Sequence, residues 1–278
     1  MPPFHNINRQ HAHISSNIML LEYPFISICS IIIISRSQRR RQTPIPNMCT
    51  SCHIIATALM LSIPLISSTA SPKRGLCHVP SSNHPTDDDI WDAPGTDLTW
   101  YYNYQSSPSP AYASSVLQFV PMAWGMSASS PSFLDTVNKL IDDGMNITYV
   151  LGFNEPDGST STGGSNMLAD TAASLWISEI EPLKKRGVRI GAPAVTGSPQ
   201  GFTWLENWFK ACDGDCNPDF IPVHWYGNFE GMASHIGQVM GTYPNLQVWV
   251  TEWGFPNQKL EDTQGFYNTS TQWFDRME

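Results

Sequence analysis

The chain has 278 residues, 41% hydrophobic, 11% aromatic and 14% charged, a globular composition with apolar mass for one sizeable core. Its formal net charge is −9, unevenly spread: residues 1–70 hold five Arg and one acid, Glu22, so residues 71–278 carry 10 basic against 23 acidic groups. That acidity argues against nucleic acid or an anionic membrane as a partner and suits a neutral ligand.

Residues 1–47 read as disordered, or as a gene-model extension upstream of Met48. Within them, 18–34 is apolar but broken by Glu22 and Pro24, which makes a poor membrane span. The alternative is a signal anchor through 18–34 that holds the protein on a membrane. Met48 opens a second plausible start. An apolar run from Ile54 to Ile66 precedes Ser67-Ser-Thr-Ala-Ser71, the pattern of a secretory signal peptide over 48–70 with cleavage after Ala70.

From residue 71 onward short apolar runs alternate with helix-length amphipathic stretches. Strands are expected over 75–80, 99–104, 118–124, 148–153, 189–194, 220–226 and 247–252. Helices are expected over 132–143, 166–186, 202–211 and 231–243. Alternation at this spacing predicts parallel βαβ units in one α/β domain, 71–278. Seven strands are visible, and the chain stops in what reads as the helix after the seventh. Cys212-Asp-Gly-Asp-Cys216 reads as a small disulfide loop in a secreted chain, with Gly214 supplying the turn. Cys77 reads as a buried thiol in the first strand. Asn146-Ile-Thr148 and Asn268-Thr-Ser270 are glycosylation acceptors that fit secretion.

Two segments carry the chemistry. Leu151-Gly-Phe-Asn-Glu-Pro-Asp157 and Val248-Trp-Val-Thr-Glu-Trp-Gly254 are apolar runs that end abruptly in a glutamate. A carboxylate at the C-terminal tip of a parallel strand is where an α/β barrel places its active site. Two of them suit glycoside hydrolysis, in which one group holds a proton and the other is ionised. Pro156 biases Glu155 toward an extended backbone that presents it at the rim as general acid/base. Glu252 ends a buried strand and is the candidate nucleophile. Asn154 can offer an amide donor to a sugar hydroxyl. His224 and Tyr226 end the preceding strand and can supply donors to Glu252, although a satisfied core histidine is the plain alternative for His224. If configuration is retained, the two carboxylates stand about 5–5.5 Å apart.

The chain holds 10 Trp, and an indole face stacks on a pyranose; at least half of these Trp are expected in the core. Trp124 and Trp253 are the choices for stacking platforms, and Asn103 for a polar contact. No metal ligand set and no cofactor are expected.

With these residues in place, the region from Lys73 to Glu278 resembles glycoside hydrolase family 128. This group is related to the alkali-sensitive linkage protein of the yeast cell wall. The matching elements are Lys73-Arg-Gly75, Trp100-Tyr-Tyr-Asn103, Pro121-Met-Ala-Trp124, Gly152-Phe-Asn-Glu-Pro156, Gly191-Ala-Pro193, Asp219-Phe-Ile-Pro-Val-His-Trp-Tyr226 and Thr251-Glu-Trp253. The resemblance implies a (β/α)8 TIM-type barrel that here lacks its last strand and helix. It also implies retaining hydrolysis of β-1,3-glucan, with Glu155 as acid/base and Glu252 as nucleophile. The expected partner is a β-glucan polysaccharide or oligosaccharide, the expected state a monomer, and the expected place secreted or in the cell wall. A non-catalytic β-glucan-binding wall protein is the competing reading.

Overall fold

A computed structural model of the chain describes residues 30–34, 73–80, 89, 91–125 and 132–277. The strands are β1 (Ser30–Ile34), β2 (Arg74–Cys77), β3 (Trp100–Tyr102), β4 (Gln118–Phe119), β5 (Tyr149–Val150), β6 (Arg189–Ile190), β7 (Phe220–Tyr226) and β8 (Gln247–Gly254). The α-helices are α1 (Phe133–Asp142), α2 (Ala169–Glu179), α3 (Pro199–Cys212), α4 (Phe229–Thr242) and α5 (Leu260–Arg276). The seven strands read from the sequence are all present, most of them shorter than expected. The stretch expected as one helix over 166–186 is α2 followed by a 3-10 turn at Glu181–Arg186. Pro182 explains the break, because its ring removes an amide donor and clashes with the preceding turn.

The pairs β2–β3, β3–β4, β5–β6 and β7–β8 are parallel, as βαβ units require. One sheet has the order β4-β3-β2-β1-β8-β7 and a second pairs β5 with β6. Single bridges join the two, Met122 to Leu151 on one side and Gly191 to Phe220 on the other. Followed from neighbour to neighbour, the pairings return to their start. The strand that completes this circuit, β1, lies antiparallel between β2 and β8. Of the segment 1–47 only these five residues are among those described.

Two apolar clusters result from the alternation of side chains along each strand. Trp100, Tyr102, Val120, Met122, Leu151, Phe220 and Trp249 pack together inside the ring of strands. Phe220 stacks on Trp249 with centroids 4.2 Å apart. The larger cluster lies between strands and helices and includes Tyr101, Val150, Trp176, Trp208, Val223, Val250, Trp253 and Phe274. Arg74 pairs with Asp97 and with Asp275, and Lys73 Nζ donates to the Met277 carbonyl at 2.7 Å, so β2 is tied to the end of α5.

Among the described residues no helix is long and apolar enough to cross a membrane. The anchor alternative over 18–34 and the signal peptide over 48–70 lie outside the described residues, except for 30–34.

Candidate active site

The functional side chains gather at the C-terminal ends of the parallel strands, where loops leave the sheet. In β7, Phe220, Pro222, His224 and Tyr226 share one face. The first belongs to the interior cluster, so the last two open above it. In β3 the same rule places Trp100 and Tyr102 inside and carries Tyr104 to the rim two residues on.

In β8 the rule is broken to build the site. Val223 pairs with Val250, but His224 pairs with Glu252, so Thr251 is an extra residue, a β-bulge. Trp249 points into the ring and Val250 toward the helices. Strict alternation would then turn Glu252 toward the helices. The bulge reverses the parity, and Glu252 faces the cleft.

Glu155 follows β5 with φ 39°, in the left-handed region. The extended backbone expected from Pro156 is not adopted. Its amide donates to the Ala194 carbonyl at 2.6 Å, and its own carbonyl accepts from Gly158 at 2.8 Å, so strand pairing and a tight turn override the local preference. A strained residue of this kind persists only where its surroundings over-determine it. Here a compact loop does so. Asn154 Nδ2 donates to the Gly163 carbonyl, the Ser165 amide to the Asn154 carbonyl, and Thr196 donates to the Asp157 carboxylate through both its amide and its hydroxyl.

The two carboxylates converge on one imidazole. His224 Nδ1 lies 3.1 Å from Glu155 Oε1 and 3.5 Å from Glu252 Oε2. One ligand atom from each of the three residues lies within 4.8 Å of the other two. Tyr226 donates to Glu252 Oε2 at 2.8 Å, and Tyr104 to Oε1 at 2.7 Å. Glu252 is buried and accepts a phenolic hydrogen bond on each oxygen. Glu155 is the more open of the pair, with 14% of its side chain exposed against 6% for Glu252. One ligand atom from each of the three residues also gives the spacing of a metal set. Behind the site His235 lies between Phe202 and Trp225. Burial, and then the neighbouring His224, holds its pKa below the usual histidine range.

This geometry can be set beside known proteins. The profile of the family described as glycosyl hydrolase catalytic core matches residues 75–278. The chain belongs to that family. Its similarities within it bear out the resemblance to glycoside hydrolase family 128. It is 32% identical over 193 residues to alkali-sensitive linkage protein 1 of Schizosaccharomyces pombe, an alignment that covers 68% of this chain and 33% of that protein. The chain therefore spans about a third of this curated relative. Among solved structures it is similar to a curdlan-specific exo-β-1,3-glucanase of subgroup III from Blastomyces gilchristii in complex with glucose. That likeness has TM-score 0.60 and 27% identity, and covers 73% of this chain and 84% of the other. It is also similar to an endo-β-1,3-glucanase of subgroup I from Amycolatopsis mediterranei in complex with laminaritriose. Here the TM-score is 0.56 and the identity 26%, over 73% and 83% of the two chains.

In this glycosyl hydrolase core, Glu155, Glu252, His224 and Tyr226 come together as the sequence suggested. Trp124 is half-buried and packs with Tyr104 against the interior cluster. Trp253 is not a platform: it is 1% exposed, donates to Ser270 Oγ and packs on Tyr267 and Phe274 beneath α5. The bulge that turns Glu252 inward turns Trp253 outward. Asn103 is not directed at the glutamates either. Its amide donates to the Ser107 carbonyl and its Oδ1 accepts from the Gln105 amide, which closes the 103–107 turn. Asn154 is buried with one amide hydrogen committed to the loop, so it braces Glu155 as well as flanking it. Tyr104 was missed, although alternation from Trp100 and Tyr102 was a signal for it.

Away from the site, Cys212 and Cys216 form the expected disulfide, with Cα atoms 5.4 Å apart and Gly214 at φ 90°. Cys77 is buried in β2, and Asn146 and Asn268 are both exposed.

Proposed function

We propose that this chain carries a retaining glycoside hydrolase that cleaves β-1,3-glucan on a (β/α)8-type barrel. The observation that carries the reading is the convergence of the Glu155 and Glu252 carboxylates on His224, with one oxygen of each within 4.8 Å of the other. Retaining enzymes hold their carboxylates about 5–5.5 Å apart, whereas inverting enzymes need about 6.5–9.5 Å to admit a water. Glu155, the more open residue, protonates the glycosidic oxygen. Glu252, held in place by hydrogen bonds from Tyr104 and Tyr226, attacks the anomeric carbon. The leaving sugar departs with the proton, and Glu155 then takes a proton from the water that releases the glycosyl group from Glu252. His224 orients both carboxylates. The glucan substrate is supported by the glucanase names of the similar structures. On this reading the protein works as a monomer outside the cell, secreted or in the wall. The Cys212–Cys216 disulfide supports that placement, because such bonds persist in oxidising compartments.

Reducing-sugar release from laminarin, with the anomer formed first followed by NMR, tests the reading. Glu155→Gln and Glu252→Gln should each abolish release, and the wild type should give the β anomer. An α anomer first would overturn the retaining mechanism. Glucan binding without turnover by the folded wild type would replace the enzyme with a binding protein.

A further inference from the structure

The two glutamates and the histidine between them are also a set of ligands. Glu155 follows β5, His224 lies in β7 and Glu252 in β8, so no short sequence spacing announces the set. Folding brings one ligand atom from each to within 4.8 Å of the other two. We propose that Glu155, His224 and Glu252 form a binding site for a first-row divalent cation of the zinc class, and that the bound ion shuts off hydrolysis.

Three observations carry this. Bonds of about 2.0–2.2 Å to nitrogen and oxygen set the ligand atoms of a tetrahedral zinc roughly 3.3–3.6 Å apart. His224 Nδ1 already stands 3.1 Å from Glu155 Oε1 and 3.5 Å from Glu252 Oε2. The two carboxylate oxygens, within 4.8 Å, need to close by at most about 1.5 Å, a movement open to Glu155 as the less buried side chain. The donor chemistry selects the ion. Calcium and magnesium take shells of oxygen, whereas an imidazole nitrogen with carboxylates suits zinc, cobalt, nickel or copper. Three protein ligands leave the fourth position to water or a sugar hydroxyl, the count of an open zinc site. Finally, the ligands are held from behind. Tyr226 and Tyr104 donate to the two oxygens of Glu252 at 2.8 and 2.7 Å, and the Glu155 amide is fixed on the Ala194 carbonyl at 2.6 Å. Partners of this kind orient ligands and raise metal affinity.

The consequence for activity rests on the two-carboxylate reading proposed above. With the ion in place, the Glu155 oxygen that must carry the proton and the Glu252 oxygen that must attack are both ligated. Any proton on His224 Nδ1 leaves as the ion enters. Ion and glucan need the same space, so the inhibition is competitive.

The test uses the full chain and zinc chloride. Titration calorimetry should show one zinc equivalent in the wild type whose affinity falls at least about tenfold in Glu155→Gln and in Glu252→Gln, the loss that outer partners alone can cause. Equal zinc binding by both folded variants would overturn the proposal. Crystals of the wild type soaked in zinc give a second readout that needs no variant. An anomalous peak should lie about 2.0–2.2 Å from His224 Nδ1 and from one oxygen of each glutamate; peaks only elsewhere would overturn the site whether or not the variants fold. In the laminarin assay the apparent KM should rise with free zinc at constant kcat and return on addition of EDTA. Zinc seen at the site with hydrolysis unchanged would refute the inhibition. Calorimetry and diffraction do not depend on glucan hydrolysis, so a chain without glucanase activity would sink the proposed function and leave the metal site to be judged by those two measurements.

Discussion

Replacing Trp253 separates a core role from a sugar-stacking role. The side chain is 1% exposed, its ring meets Phe274 with centroids 5.5 Å apart, and its indole N–H donates to the buried Ser270 hydroxyl at 3.1 Å. Truncation of a fully buried Trp to Ala costs about 3–5 kcal/mol through lost transfer energy and the cavity left behind. For a domain of this size each kcal/mol lowers Tm by roughly 2–4 °C, so Trp253→Ala should fall by about 6–20 °C. Trp253→Phe keeps most of the buried ring area, and Ser270 retains its bond to the Tyr267 carbonyl. Its cost should be about 1–2 kcal/mol, the size of one buried hydrogen bond with a small packing loss. The assay pairs calorimetry with KM for laminarin, measured well below both transitions. KM should stay within about twofold of wild type in Trp253→Phe, because the indole never reaches the cleft. A tenfold rise in KM with Tm unchanged would refute the assignment, and with it the claim that the bulge at Thr251 reverses the alternation.

Three further outcomes are expected. In Gly164→Ala the new methyl would stand 2.5 Å from the Gly158 carbonyl and 2.6 Å from the Glu155 carbonyl oxygen, both backbone atoms. The loop must shift and carry Glu155 with it, so kcat should fall about 100-fold with a much smaller proportional change in KM; wild-type kcat would show that the loop does not position Glu155. Tyr104→Phe removes a donor from a buried carboxylate and should cost about 1.5–3 kcal/mol of stability. Most of that cost should vanish in a Glu252→Gln background, as a double-mutant cycle on Tm would show. The pKa of His235 is lowered by burial, so the unfolded chain binds the proton first. Stability contributed by the neutral ring is present above the unfolded value of about 6.5 and lost progressively as pH falls toward the lower folded value. The decline of Tm between pH 7 and 5 should therefore be shallower in His235→Gln than in the wild type, and equal slopes would contradict a neutral buried ring.

The parts of the site that alternation alone can reach were legible. Phe220, Pro222, His224 and Tyr226 share parity, and so do Trp100, Tyr102 and Tyr104. The choice of Asn103 over Tyr104 ran against that parity, and the structure uses the asparagine for a turn. Trp253 was not legible in the same way. Its direction depends on a bulge that exists only in the pairing of β8 with β7, and no residue of Val248-Trp-Val-Thr-Glu-Trp253 announces it. β1 was beyond reach for a related reason. Four consecutive isoleucines suit a strand, a leader or an anchor equally well, and the pairing with β2 and β8 is set by residues far away in sequence.

These departures are not scattered. Glu155 and Tyr104 have positive φ, at 39° and 59°, and Thr251 is the bulge residue before Glu252. Three of the groups that form or flank the carboxylate pair thus sit on backbone that no local preference would select. A regular strand delivers side chains about 3.3 Å apart along its axis and alternately to two faces. Bringing two glutamates and a histidine from separate strands to within 4.8 Å, with a phenol on each oxygen of one carboxylate, asks for directions that regular strands do not supply. The strain is held by the Ala194 carbonyl, the Gly158–Gly164 contact and the Tyr102 hydroxyl on the Thr251 carbonyl. Local rules therefore fail at the site for a physical reason: the chemistry needs convergence, and convergence is imposed by neighbours far away in sequence.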